Sequence, residues 1–256
     1  MRAFVAFFKK ELLERIRSGR LWILLAVFAA IGIMNPATAK LTPWLIEVFW
    51  DSLGTNMGAP PVIVPTVLDS LTQFYKNVPL GLLTLVLLEG GILTREYQSG
   101  TLILCLSRGL ARHTVIAAKA IVLASTYTVG YWLTHFVTHA YNAYYFDLGI
   151  AAYPHLAALY YYVFGLFVLA LLLFASTVVS DTAGALLVTG GGVLLSYLLS
   201  LIPPVKRYLP TYLSAGTAIV YGTAEPSDYV AALIITLALI AACFVGALLT
   251  FKKKEI

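Results

Sequence analysis

Leu156–Val179, LAALYYYVFGLFVLALLLFASTVV, runs for 24 residues without an Asp, Glu, Lys, Arg or Pro. A helix crossing a bilayer needs roughly 20 consecutive, mostly apolar residues, and in hydrocarbon only a helix or a closed barrel satisfies its own backbone. Five other stretches read the same way, so the expected spans are 21–39, 74–94, 114–137, 156–179, 183–202 and 229–251. Composition agrees: 60% of the 256 residues are hydrophobic and 11% charged, with mean hydropathy +0.87. A soluble domain carries about 25% charged residues. The expected fold is therefore an all-α membrane protein of six transmembrane helices, one transmembrane domain over residues 1–256. No stretch between spans reaches the roughly 50 residues of a soluble domain.

The first span carries Asn35 and Pro36, which are expected to kink or unwind its outer part. Ala37, Thr38 and Ala39 resemble a signal-peptidase site, but the preceding charged region is long and contains Glu11 and Glu14. Beyond it, Trp44, Leu45, Val48, Phe49 and Leu53 suit a short interfacial helix within an outer segment, 40–73, that Gly58, Pro60, Pro61 and Pro65 then break. A second irregular segment, 203–228, holds Pro203, Pro204, Pro210 and Pro226 and reads as re-entrant gate helices or as plain loop.

Charge fixes the expected orientation. Before the first span lie Arg2, Lys9, Lys10, Arg15, Arg17 and Arg20; after the second lie Arg95, Arg108, Arg112 and Lys119; the tail holds Lys252, Lys253 and Lys254. Only Lys40, Lys76, Lys206 and Arg207 of the 17 basic residues fall on the other side. Positive loops stay in the cytoplasm, so both termini are expected inside, in a multi-pass protein of the plasma membrane. The net charge of +5 is thereby topology and implies no nucleic acid. Residues 2–18 place Val5, Phe8, Leu12 and Ile16 on one helical arc, with Lys10, Glu14 and Arg17 opposite. This suits a helix in the inner interface, either a plain positive-inside anchor or an N-terminal elbow helix that flanks a docking surface.

The polar stretch between the second and third spans is the most specific feature. Glu89 precedes Arg95 and Glu96; Gly100 permits a turn; Thr101 can cap a short helix through Leu102; Ser107, Arg108, Arg112 and Lys119 follow. This pattern resembles the intracellular coupling segment of the ABC-2 type transporter permeases. Those proteins commonly show a Glu near the end of the second span, then Glu, Gly-Thr-Leu, a Ser-Arg-Pro-hydrophobic-Ser-Arg run and a Lys opening the third. The chain departs where Gly109 replaces the usual Pro and Ala111 the usual Ser, which loosens the geometry of that turn. The resemblance implies a non-enzymatic permease subunit of an exporter, with a cytoplasmic coupling helix between spans 2 and 3. It implies two copies, or one copy with a related permease, forming the path. Two separate ABC ATP-binding subunits would bind ATP and Mg beneath it. It further implies a hydrophobic or amphipathic substrate (peptide, lipid or drug).

The remaining residues read more plainly. No G-x-x-x-x-G-K-[ST] loop, H-E-x-x-H or G-x-S-x-G occurs, so neither ATP hydrolysis nor common hydrolase chemistry is expected in this chain. Glu89, near the inner interface, is expected to pair with basic groups of the elbow or with Lys119. An ion-coupled carrier using Glu89 or Asp69, or a membrane immunity or sensor protein without transport, is the alternative. His135 and His139 stand at i and i+4, the spacing of two metal ligands. His155 and Asp147 lie across the next outer loop, so the expectation is interfacial histidines among Tyr141, Tyr144, Tyr145 and Tyr160–Tyr162, with no metal site. Asp181 suits a helix cap. Gly184, Gly190 and Gly191 in the fifth span suit close helix packing, within the subunit or across a dimer. Cys105 and Cys243 have no metal or disulfide spacing.

Overall fold

The computed structural model describes residues 2–53, 62–107 and 109–254. Gly58, Pro60, Pro61 and Arg108 lie outside these residues. The described residues form eleven α-helices and no strand: α1 (Arg2–Arg17), α2 (Arg20–Leu53), α3 (Val67–Glu89), α4 (Thr94–Gln98), α5 (Thr101–Ser107), α6 (Arg112–Tyr145), α7 (Pro154–Val178), α8 (Thr182–Leu199), α9 (Pro203–Lys206), α10 (Gly216–Val220) and α11 (Val230–Lys253). Short 3-10 turns occupy Leu148–Ile150, Pro210–Ser214 and Pro226–Tyr229. Six of the helices, α2, α3, α6, α7, α8 and α11, are long and apolar enough to cross a membrane.

Helix ends follow local chemistry. The Thr66 amide and hydroxyl both donate to Asp69 Oδ2, at 2.8 and 2.9 Å, starting α3. Asp181 Oδ2 accepts from the Gly184 amide at 2.7 Å and caps α8. Pro154 opens α7, where its missing N–H costs nothing.

The first span differs from expectation. α2 continues unbroken for 34 residues through Pro36 and Pro43, and Trp44, Leu45, Val48 and Phe49 belong to its exposed C-terminal end, not to a separate helix. A proline removes the hydrogen bond to the carbonyl four residues earlier, here that of Gly32. Thr138 Oγ1 of α6 donates to that carbonyl at 3.0 Å. Asn35, fully buried, donates to the same hydroxyl at 3.1 Å and accepts from Asn77 of α3 at 3.0 Å. Residues expected to break the helix thus join it to two neighbours.

One turn inward, Phe28 is completely buried between α3 and α6. A Cβ on Gly81 or on Gly130 would stand 2.5 or 2.4 Å from its ring, so both helices need glycine there. Thr134 Oγ1 donates to the Phe28 carbonyl at 2.7 Å and fixes the register. Both α2 and α6 are about 51 Å long at 1.5 Å per residue, well beyond a hydrocarbon core of about 30 Å. Lys40 Nζ over the Tyr145 ring, 3.7 Å from its centroid, ties their outer ends.

α7 is the central helix, packed on α3, α6, α8 and α11. Its tyrosines correct the expected aromatic belt: Tyr160 and Tyr161 are buried, and Tyr161 stacks on Tyr131 with centroids 6.1 Å apart. Tyr160 donates its hydroxyl to the Pro226 carbonyl at 3.0 Å. Tyr141, Tyr144 and Tyr145 are the exposed members. The segment after α8 is not plain loop, since Leu213, Ile219 and Val220 are buried against the bundle.

Gly130→Leu is expected to expel Phe28 and destabilise the protein by about 1–3 kcal/mol. Combining it with Phe28→Ala should cost less than the two single changes together. Melting curves of the four proteins in one detergent check this.

Candidate functional site

After Glu89 the chain leaves α3 through a turn at 90–93 and forms two short helices, α4 and α5, before entering α6. Gly100, at φ +68°, makes the corner between them, a conformation that side chains with a Cβ disfavour. Thr101 is the first residue of α5, and its hydroxyl meets that of Ser99 at 2.9 Å. Leu102 is buried as the anchor of α5, while Thr101, Ile103 and Ser107 face outward.

α4 joins several other elements through three of its five residues. The Thr94 hydroxyl meets that of Thr182 at the start of α8, at 2.9 Å. The Tyr97 ring packs on Phe251 of α11 and lies 4.2 Å from Lys254 Nζ. Glu96 pairs with Lys10 of α1 at 2.9 Å and with Lys119 of α6 at 3.0 Å. Arg95 is exposed, its side chain folded over Gly91.

Beneath α4 the charges are buried. Arg15 donates to Glu89 Oε2 at 2.8 Å and to Thr126 Oγ1 at 3.1 Å. Lys119 donates to Glu11 Oε2 at 3.0 Å. Lys10 closes the circuit onto Glu11 at 3.0 Å and Glu14 at 3.2 Å. Glu89 therefore pairs with the Arg15 guanidinium, whereas Lys119 serves Glu11 and Glu96. Glu89 Oε1 is buried with no hydrogen-bond partner among the described residues. Glu11, Glu14 and Glu96 converge closely enough to hold a cation, but the Lys10 ammonium already bridges all three.

Two sides of α1 have different tasks. Phe7, Glu11 and Arg15 are buried against the bundle. On the sequence-derived arc, Val5 is exposed and Phe8, Leu12 and Ile16 are half-buried; Lys10 and Arg17 are exposed. Burial by itself would raise the Glu11 pKa, but Lys119 and Lys10 more than offset it and hold the carboxyl below its ordinary 4.5. Lys10 is likewise pulled down by burial, yet Glu96 and Glu11 leave it above its ordinary value. Sequence patterning missed Glu11 and Arg15 as site residues. The signal was present, for their i, i+4 spacing continues the face of Phe7.

Arg112 is also placed differently from expectation. Its Nη1 reaches the carbonyls of Phe251, Lys252 and Lys254 at 2.9, 3.2 and 2.6 Å. Through Nη1 it caps the end of α11. Lys254 does the same for α7, donating to the carbonyls of Thr177 and Val179 at 3.1 and 2.9 Å. On α8, a Cβ on Gly184 would stand 2.9 Å from Asp181 Oδ1, so Gly184 belongs to the cap. Gly190 and Gly191 face open space, where a Cβ would meet nothing within 4 Å.

No protein-family model matches this chain, and no curated protein matches it.

Removing one partner of a buried ion pair costs about 3–5 kcal/mol, so Arg15→Leu and Glu89→Leu should each be severe, and the double variant milder than their sum. Chemical denaturation in mixed micelles measures the cycle. Because the folded-state pKa of Glu11 is depressed, its stabilisation is complete above the unfolded value near 4.5 and disappears as pH falls through the lower folded value. The melting-temperature advantage of wild type over Glu11→Gln should therefore be full at neutral pH and shrink below about pH 4.5.

Proposed function

We propose that this chain is the membrane-spanning permease subunit of an ATP-driven exporter of the ABC-2 type. The observation that carries the reading is α5: a short helix with an outward face of Thr101, Ile103 and Ser107, set between two candidate spans. Through α4 it is tied by the ion pairs of Glu96 to Lys10 of α1 and Lys119 of α6. A partner pushing on α5 would then move several helices as one body, the kind of rigid-body switch by which a binding event is passed on. In this reading α1 is the elbow, the α4–α5 end faces the cytoplasm, and two ATP-binding subunits dock on α5 and supply ATP and Mg.

A second copy, or a related permease, would cover the open Gly190–Gly191 face of α8. Beside that face lies an apolar groove of about 280 Å3 between α3, α7 and α8, lined by Leu83, Val86, Phe164, Val168, Leu186 and Val193. It suits a hydrophobic or amphipathic substrate. The pairing of Glu89 with Arg15 weighs against an ion-coupled carrier built on that carboxylate, and Asp69 is engaged in starting α3.

Ile103 is half exposed, so Ile103→Arg should leave the fold intact. Reconstituted in nanodiscs with an ABC ATP-binding subunit co-expressed from the same genome, wild type should retain that subunit. Ile103→Arg should lose at least about tenfold in its binding, one decade being about 1.4 kcal/mol, with an unchanged melting temperature. A wild-type chain that holds no ATP-binding subunit would overturn the reading.

A further inference from the structure

His135 and His139, expected to be two unconnected interfacial histidines, have a third histidine beside them. The turn after α6 folds back and sets His155, the second residue of α7, with its Nδ1 2.9 Å from His135 Nε2. The His139 ring lies 4.7 Å from that of His155, centroid to centroid. Across this outer corner exposure falls stepwise: His155 is exposed, His139 half-buried and His135 buried.

A second feature marks the same place. His135, Thr138, His139 and Asn142 follow one another at i, i+3, i+4 and i+7, a single stripe of α6. All four line a cavity of about 20 Å3, room for one water or one ion. Asn142 is 1% exposed, yet neither its Nδ2 nor its Oδ1 has a hydrogen-bond partner among the described residues. An amide buried with all its capacity unused is costly, unless something else occupies the space beside it.

We propose that His135, His139 and His155 bind one zinc ion, at the His135 and His139 end of the stripe that Asn142 continues. Three imidazoles without a carboxylate or thiolate select a borderline metal and disfavour calcium or magnesium. With zinc–nitrogen bonds of about 2.0–2.1 Å, ligand nitrogens of a tetrahedral site stand roughly 3.3 Å apart. The 2.9 Å contact of His135 with His155 is near that; on binding, the donor ring moves its proton to its other nitrogen and both rings tilt so that their lone pairs converge on the ion. As the side chains lie, the three imidazoles do not bring one nitrogen each within 4.8 Å of one another, so binding requires His139 to turn about its side-chain bonds and supply the third nitrogen. The fourth position is left to water. The ion would fasten the beginning of α7 to the outer part of α6.

The site is independent of the permease reading and is tested without transport. Protein purified without a histidine tag, in nanodiscs at neutral pH, would be titrated with zinc against a chromophoric chelator, and with cobalt to record its visible bands. One zinc per chain is expected. Each of His135→Ala and His155→Ala should lose more than the about 10–100-fold typical of removing an outer-shell partner. His113→Ala, at the opposite end of α6, should bind as wild type does. His155 is exposed, so its variant should keep the apo melting temperature and separate lost binding from lost folding. Absence of saturable zinc binding by wild type, or binding undiminished in His155→Ala, would overturn the proposal and leave the His135–His155 contact an ordinary hydrogen bond.

Discussion

A charge taken out of water must bring its opposite with it, at a cost of several kcal/mol per ion if it does not. Glu89 sets that demand at the end of α3, and Lys119 sets it inside α6. Neither serves the other; both are answered by α1, through Arg15 and Glu11. This is why α1 cannot be a loosely attached anchor. The face of Phe7, Glu11 and Arg15 supplies the ions that two other helices lack. Such pairs add little net stability over an apolar isostere, but one member alone is strongly unfavourable. Their contribution is to exclude every arrangement in which α1 is undocked.

The same rule operates among neutral groups around Pro36. Pro36 leaves a carbonyl of α2 without its helical donor, and Thr138 supplies one from α6. Asn35 then carries the connection to Asn77 of α3. Where backbone satisfaction within the helix fails, satisfaction from a neighbour replaces it, as interiors without water require. A helix-breaking pair of residues becomes a point of specific helix association.

Spans were legible because hydropathy over about 20 residues is a strong signal: the expected 156–179 and 229–251 differ from α7 and α11 by at most two residues at each end. The first span was not, since the consequence of Pro36 depends on a threonine more than 100 residues away. Charged positions of the 89–119 region were legible as a group, but their partners were not. Arg112 has the appearance of a docking residue in sequence and is occupied by the end of α11. His155 could not be joined to His135 by periodicity, because the turn between α6 and α7 decides where it falls. Tyr160 and Tyr161 were assigned to a belt because sequence does not say which face of α7 looks inward.

The reciprocal ties made by Arg112 and Lys254 bear on the order in which the chain can be completed during synthesis. Chains emerge from the amino end at about 5–20 residues per second, so α6 and α7 are in place before their inner ends find these partners. The last carbonyls of α7 wait for Lys254, and Arg112 waits for the carbonyls of residues 251–254. Closure of this end of the bundle is therefore a late, post-insertion event, and a tag or fusion joined directly after Lys254 would sit on the latch itself.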